Sequence, residues 1–136
     1  MSPQGSIYHL DLFPGELAET IILVGDPIHA KLVLRYFDCI EIKKSKREFI
    51  IHTEKISNHR LSIIRIDIGS EGNIDIIINE ANALFNVDFK ELKIKSKLTR
   101  LRFIRFRTAV ALQPEISVDS YVVSERAIGF DGLINF

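Results

Sequence analysis

A glycine corner and three basic residues are the first features that could do chemistry. Gly25 follows the apolar run Ile21-Ile22-Leu23-Val24 and precedes Asp26-Pro27, with His29 close behind. Arg47 opens the stretch Glu48-Phe49-Ile50-Ile51, and Arg105 stands three residues before Thr108. A phosphate site is made of such parts: backbone N–H donors at a glycine corner, a planar guanidinium for two-point contact, and a hydroxyl. On pattern alone the plainer reading is favoured, with Arg47 and Arg105 as strand-end charges and Thr108 as strand filler.

These residues need elements to hold them. The run Ile21 to Val24 reads as a buried strand, and Ile28 to Phe37 as a helix behind the Gly25 corner. A strand, a glycine corner and a helix N-terminus together suit an anion. Before them, Met1 to Gly5 reads as a loose terminus, and Phe13 to Leu17 as a turn leading into a brief helical piece. After them comes the basic run Lys43 to Arg47, read as a charge run preceding a strand over Glu48 to Thr53. A turn at Ser57 to Arg60 then leads to a strand over Leu61 to Asp67, and the two strands read as a hairpin. Gly69 to Asn73 forms a second corner, with Asn73 as N-cap of a helix whose stripe is Ile74, Ile77, Ile78, Ala81, Leu84 and Phe85. Asn86 to Thr99 reads as a surface excursion. Leu101 to Thr108 reads as a strand continuing through Ala109 to Leu112, and Val118 to Ser124 as another. The closing stretch Gly129 to Phe136 is apolar and glycine-bearing, which reads as the middle of a domain.

Composition bounds the rest. The 136 residues suit a single domain spanning 1–136, and 46% hydrophobic with 26% charged residues is a globular balance. Lys+Arg and Asp+Glu are both 18, so no net field draws the chain to nucleic acid or to an acidic membrane. No apolar run is long enough to span a bilayer. One cysteine, Cys39, excludes an internal disulfide framework and fits a reducing compartment, so the cytoplasm is expected. Cys39 itself reads as a small core residue. Strands alternating with helices point to an α/β fold of the three-layer α/β/α type around a central mixed sheet.

The ordered motifs resemble one family. Tyr8-His9-Leu10, Ile22-Leu23-Val24-Gly25-Asp26-Pro27 and Arg47-Glu48-Phe49 resemble the opening of the nucleoside phosphorylases, the uridine phosphorylase branch above all. Asn73-Ile74-Asp75 with Asn79-Glu80, Leu101-Arg102-Phe103-Ile104-Arg105 and Ala111-Leu112-Gln113-Pro114 continue the match. Ser124-Glu125 and Ile128-Gly129-Phe130-Asp131-Gly132-Leu133 complete it. Each motif alone is weak, whereas the ordered set is specific and spans essentially the whole chain.

The resemblance implies reversible phosphorolysis, in which a nucleoside and phosphate give a free base and ribose 1-phosphate. Inorganic phosphate would be the co-substrate, with no organic cofactor and no metal. Gly25 would offer backbone donors to phosphate, and Arg105 and Thr108 would bind it from a strand end. Arg47 would reach phosphate from a neighbouring subunit, and His9, also from the neighbour, would contact the ribose. The expected partners are therefore nucleoside, phosphate and a second copy of the chain, in a homo-oligomer with sites at a dimer interface.

Four departures from the family pattern count against activity. His29 stands where an arginine is usual, and a mostly neutral imidazole removes a charge from the phosphate. Phe106-Arg107-Thr108-Ala109-Val110 replaces a stretch of the Ile-Gly-Thr-Ser-Gly kind, so both glycines are lost and Arg107 is expected to obstruct the site. Ile66-Asp67-Ile68-Gly69 replaces Thr-Gly-Ile-Gly, setting a carboxylate near the phosphate, and Gly72 reads as an insertion. The family's second half, with the base-recognition residues, is missing, which leaves the sheet incomplete and its faces uncovered. The alternative to an enzyme is thus a truncated, degenerate relative without catalysis, at most a phosphate-binding or self-associating remnant. Oligomerisation or marginal solubility is expected on the same grounds.

Overall fold

The computed structural model describes residues 1–26, 32, 34–36, 39–66 and 71–128. The helix expected over Ile28 to Phe37 lies largely outside them, as do His29, Asp67, the Gly69 corner and the tail from Gly129. The side chains of Cys39, Gly72 and Asn73 are likewise outside the description.

The sheet is built around the apolar run that precedes Gly25. Strand β1 (Thr20–Val24) buries Ile21, Leu23 and Val24 almost completely. The other strands of this sheet are β2 (Cys39–Lys46), β3 (Phe49–Ile56), β4 (His59–Arg65) and β7 (Arg102–Phe106), in the order β2-β3-β4-β1-β7. Strand β1 runs parallel to both its neighbours, β4 and β7. Pairs β2–β3 and β3–β4 are antiparallel hairpins, so the sheet is mixed. A continuous Ile-Ile-Leu-Val run is what a strand with parallel partners on both edges requires.

Side-chain alternation sorts the strands into two faces. One carries Ile21, Leu23, Phe49, Ile51 and Ile64, packed with the helix α1 (Glu71–Asn86) and the N-terminal segment into a single core. From α1 that core receives Ile77, Ala81 and Leu84, spaced by four and three as one helical stripe. Ile78, expected in the stripe, is 44% exposed because it sits one residue off it. The helix is formed by Glu71, so Asn73 falls in its first turn and is not the cap expected of it. The core helix, the mixed sheet and the remaining loops form an incomplete α/β fold.

Residues 1–5, expected as a loose end, are tied into a turn, and the segment that follows them is a structural layer. Ser2 and Ser6 close a bonded turn through their hydroxyls at 2.7 Å and through the Ser2 N–H to Ser6 carbonyl bond at 2.8 Å. Leu10, Leu12 and Leu17 are then fully buried. A buried hydroxyl chain ties this layer to the sheet. Thr53 Oγ1 donates to the Glu16 carbonyl at 2.7 Å and accepts from Ser62, whose Oγ in turn accepts the Ala18 N–H at 2.8 Å. Both hydroxyls of this relay, Thr53 and Ser62, are partnered, which is the condition for burying them cheaply.

The basic run behaves differently from its reading as a charge run before a strand. Lys43 to Lys46 forms the second half of β2, with every other lysine turned to the N-terminal layer. Lys44 Nζ donates to the Asp11 carbonyl and to Glu16 Oε2, both at 2.7 Å, and Lys46 Nζ donates to the Tyr8 carbonyl at 2.8 Å. The hairpin turn is Ser57-Asn58, while His59 and Arg60 already belong to β4.

Beyond α1 the chain makes a small exposed ribbon from β5 (Val87–Asp88) and β6 (Lys93–Ile94), as the surface excursion predicted. Asn86 clamps it: its amide bonds both the N–H of Thr99, at 2.7 Å, and the carbonyl of Thr99, at 3.1 Å. Two expected strands are absent. Strand β7 ends at Phe106, and residues 109–112 and 118–124 form no ladder and are exposed. Their sequence favours strand, but a strand exists only with a partner, and none of the described residues supplies one.

Candidate anion site at the carboxyl end of the parallel strands

In an open sheet, ligands bind outside the carboxyl ends of parallel strands. The register sets out that edge here. Leu23 of β1 pairs with Ile64 of β4 and Arg105 of β7, and Val24 pairs with Arg65 and Phe106. The Ile66 N–H donates to the Val24 carbonyl at 2.9 Å and carries the alignment one step further. Gly25 therefore emerges at the edge where β7 runs out into Arg107 and Thr108. The fold thus brings three of the expected phosphate residues, Gly25, Arg105 and Thr108, to one end of adjacent parallel strands. Arg105, Arg107 and Thr108 are all exposed there.

Arg47 and His9 sit elsewhere, around Tyr8. Arg47 is the first residue of the turn between β2 and β3, with a left-handed φ of 53°. Non-glycine residues adopt that conformation only at some cost in energy. Its Nη2 donates to the Tyr8 hydroxyl at 3.3 Å, and its guanidinium carbon lies 5.3 Å from the Tyr8 ring centre. Lys46 Nζ lies 5.4 Å from the same ring. Because Ile50 pairs with Arg65, this turn is at the same end of the sheet as Gly25. Strand β3 is two strands from β1, so about 10 Å separates the two clusters across the sheet.

His9 is held by a residue that pattern reading did not single out for a role. Glu80 of α1 accepts the His9 N–H at 3.0 Å, the Leu10 N–H at 2.9 Å and His9 Nδ1 at 2.7 Å. With Nδ1–H donated to a carboxylate, the Nε2 lone pair is left for another partner. The His9 ring meets Tyr8 edge-on, at 4.9 Å between centres. A signal for Glu80 did exist: it follows Ile77 by three residues and precedes Leu84 by four, so it borders the buried stripe.

The opposite face of the sheet hides a second pair. Glu54 of β3 is fully buried, and His52 nearly so. His52 Nδ1 and Glu54 Oε1 are 3.4 Å apart, yet neither makes a hydrogen bond, and Glu54 Oε2 has no partner either. Burial pushes the Glu54 carboxyl above its ordinary value. Burial, with a smaller push from the charge of Lys43, holds the His52 imidazole below its ordinary value. Among the described residues no cluster of three or more His, Cys, Asp or Glu could hold a metal ion. Nor is any described helix long and apolar enough to cross a membrane.

No protein-family model matches the chain. A uridine phosphorylase from Thermococcus kodakarensis is 26% identical over 129 residues, which is 95% of this chain and 41% of that protein. A DeoD-type purine nucleoside phosphorylase from Streptococcus suis is 29% identical over 129 residues, covering 93% of this chain and 48% of the relative. Among solved structures, a Trypanosoma brucei nucleoside phosphorylase described as showing uridine phosphorylase activity superimposes with a TM-score of 0.63 at 30% identity. That match covers 70% of this chain and 29% of the other. A uridine phosphorylase of the oomycete Phytophthora capsici shares the fold, with a TM-score of 0.67 at 24% identity over 85% of this chain and 35% of the other. The chain thus spans less than half the length of each of these relatives. In sequence and in fold the chain is thus similar to the nucleoside phosphorylases.

Proposed function

We propose that this chain carries the phosphate end of a nucleoside phosphorylase site of the uridine type. The observation that supports the reading is the parallel pairing of β1 with β7, which ends at Val24 opposite Phe106, just before Gly25 on one strand and two residues before Thr108 on the other. In phosphorolysis the glycosidic bond loosens toward an oxocarbenium-like state, and phosphate serves as both nucleophile and counter-charge. Such a site needs a preorganised anion cradle more than an acid/base pair. Gly25 would supply backbone donors, Arg105 a guanidinium and Thr108 a hydroxyl. Arg47 and His9 cluster on Tyr8, about 10 Å away across the sheet. That separation supports their service to the pocket of a second subunit, His9 toward ribose and Arg47 toward phosphate.

The 136-residue chain by itself is proposed to bind phosphate weakly and to leave nucleoside unconverted. Arg105 and Thr108 are open to water, where a charge is screened within about 8–10 Å. Arg107 and Asp67 in place of glycines and His29 in place of arginine, all read from the sequence, weigh the same way. Phosphate-binding remnant is thus preferred to free-standing enzyme, and a cytoplasmic setting is the reading of its single cysteine.

The test has two readouts. Titration with inorganic phosphate, followed by calorimetry or phosphorus NMR, is expected to saturate, and Arg105→Ala to weaken it several-fold. Absence of saturable binding would remove the anion site. Incubation with uridine and phosphate is expected to yield no ribose 1-phosphate above a control without protein, and its formation would restore the enzyme reading.

A further inference from the structure

Strand β7 is the outermost strand of the sheet, and among the described residues nothing pairs with its outer edge. On one of its faces Arg102, Ile104 and Phe106 follow one another by alternation. Ile104 is 43% exposed and Phe106 53% exposed. Such an edge is a template for another strand.

A matching strand sequence lies downstream, unpaired. Tyr121 and Val123 are 94% and 92% exposed, and at the same period of two they are flanked by Asp119 and Glu125. Laid antiparallel on β7, this segment sets Glu125 opposite Arg102, Val123 opposite Ile104 and Tyr121 opposite Phe106. Asp119 then falls opposite Thr108. Glu125 and Arg102 carry opposite charges, Val123 and Ile104 are both β-branched, and Tyr121 and Phe106 are both aromatic, so three of the four opposed pairs are of a favourable kind. A slip of one residue would turn Tyr121 and Val123 away and set Ser120, Val122 and Ser124 on this face, losing the aromatic pair and the charge pair.

In the structure the segment is off its own β7. It is held in a turn, with the Ser120 N–H on the Ser117 carbonyl at 3.3 Å, the two hydroxyls 3.0 Å apart and Asp119 at a φ of 67°. Glu125 lies 3.9 Å from Arg126, both largely exposed, a contact worth little in water. The formal net charge of zero opposes no self-association.

We propose that two copies of this chain associate through this edge, with Asp119–Glu125 of each adding as an antiparallel strand to β7 of the other. The exchange is reciprocal, so one two-fold axis closes it and both edges are satisfied together. The surface is separate from the Tyr8–His9–Arg47 cluster assigned above to a neighbour's pocket, so this inference can fail without that one.

Two measurements test it. Sedimentation or light scattering across a concentration series is expected to show a species of twice 15.5 kDa that dissociates on dilution. The double variant Val122→Pro/Val123→Pro, in a segment outside the core, is expected to remain monomeric with unchanged circular dichroism. In a Cys39→Ser background, a mixture of Ile104→Cys chains with Val123→Cys chains is expected to give a disulfide-linked heterodimer under mild oxidation. A parent that stays monomeric throughout overturns the proposal. So does a proline variant that dimerises like the parent, or a doubly substituted chain whose disulfide closes within one molecule.

Discussion

Replacing Glu54 by Gln tests the buried face of the sheet. The parent carboxyl is fully buried, both its oxygens lack hydrogen bonds, and the one nearby ring nitrogen stands at 3.4 Å without bonding it. Its folded value lies above the ordinary 4.5, through burial. The stability linked to Glu54 is therefore fully present below about pH 4.5 and is lost as pH rises through the folded value. His52 runs the other way: its folded value lies below 6.5, through burial and then Lys43, so its contribution is full above 6.5 and is lost as pH falls. Glutamine keeps the shape and abolishes the first dependence only. At about pH 4 parent and variant should agree within roughly 0.5 kcal/mol, because both side chains are neutral. At about pH 7.5 the variant should be the more stable, because only the parent must then bury a charge or take up a proton on folding, at about 1.4 kcal/mol for each tenfold weakening of the carboxyl's acidity in the fold. With a denaturant slope of about 1–3 kcal/mol/M, each such step raises the urea midpoint by about 0.5–1.4 M. The chain has no tryptophan, so far-ultraviolet circular dichroism is the suitable signal. A variant that is less stable at both pH values would refute the reasoning, since it would mean that the carboxylate is ionised and stabilising in the fold.

Other substitutions probe the anchors of the site. Glu80→Gln removes the charge that holds two backbone N–H groups and the His9 ring, and should cost about 1.5–3 kcal/mol. Hydrogen exchange at the Leu10 amide should accelerate in that variant, whereas unchanged protection would refute the anchoring role. Asn86→Ala leaves the Thr99 N–H without its acceptor and should cost about 1–3 kcal/mol, with faster exchange at Thr99 as the local signature.

Much of the fold was legible because it repeats a period. The Ile21 to Val24 run announced a buried strand, the spacing of Ile77, Ala81 and Leu84 announced a helix face, and β3 with β4 read as a hairpin. The Gly25 corner and the strand bearing Arg105 were legible too, and the sheet then aligned them. Strand β2 was obscured because Lys44 and Lys46 occupy the inward positions where apolar residues are expected. Their stems lie under the N-terminal layer while their ammonium groups bond Asp11, Glu16 and Tyr8.

What the sequence alone determined is therefore local: which residues suit strand, helix or corner, and the ordered motifs that carry the resemblance to nucleoside phosphorylases. Only the tertiary structure decided who meets whom. It joined Glu80 to His9 across 71 residues of chain. It stationed Arg47 on Tyr8, away from Gly25, and it buried Glu54 beside His52 without a hydrogen bond. It also left Val118 to Ser124 without a ladder despite a strand-like sequence. The reason is common to all four: hydrogen bonds, burial and β-pairing belong to pairs of distant groups, and no property of one residue or its near neighbours specifies the second member.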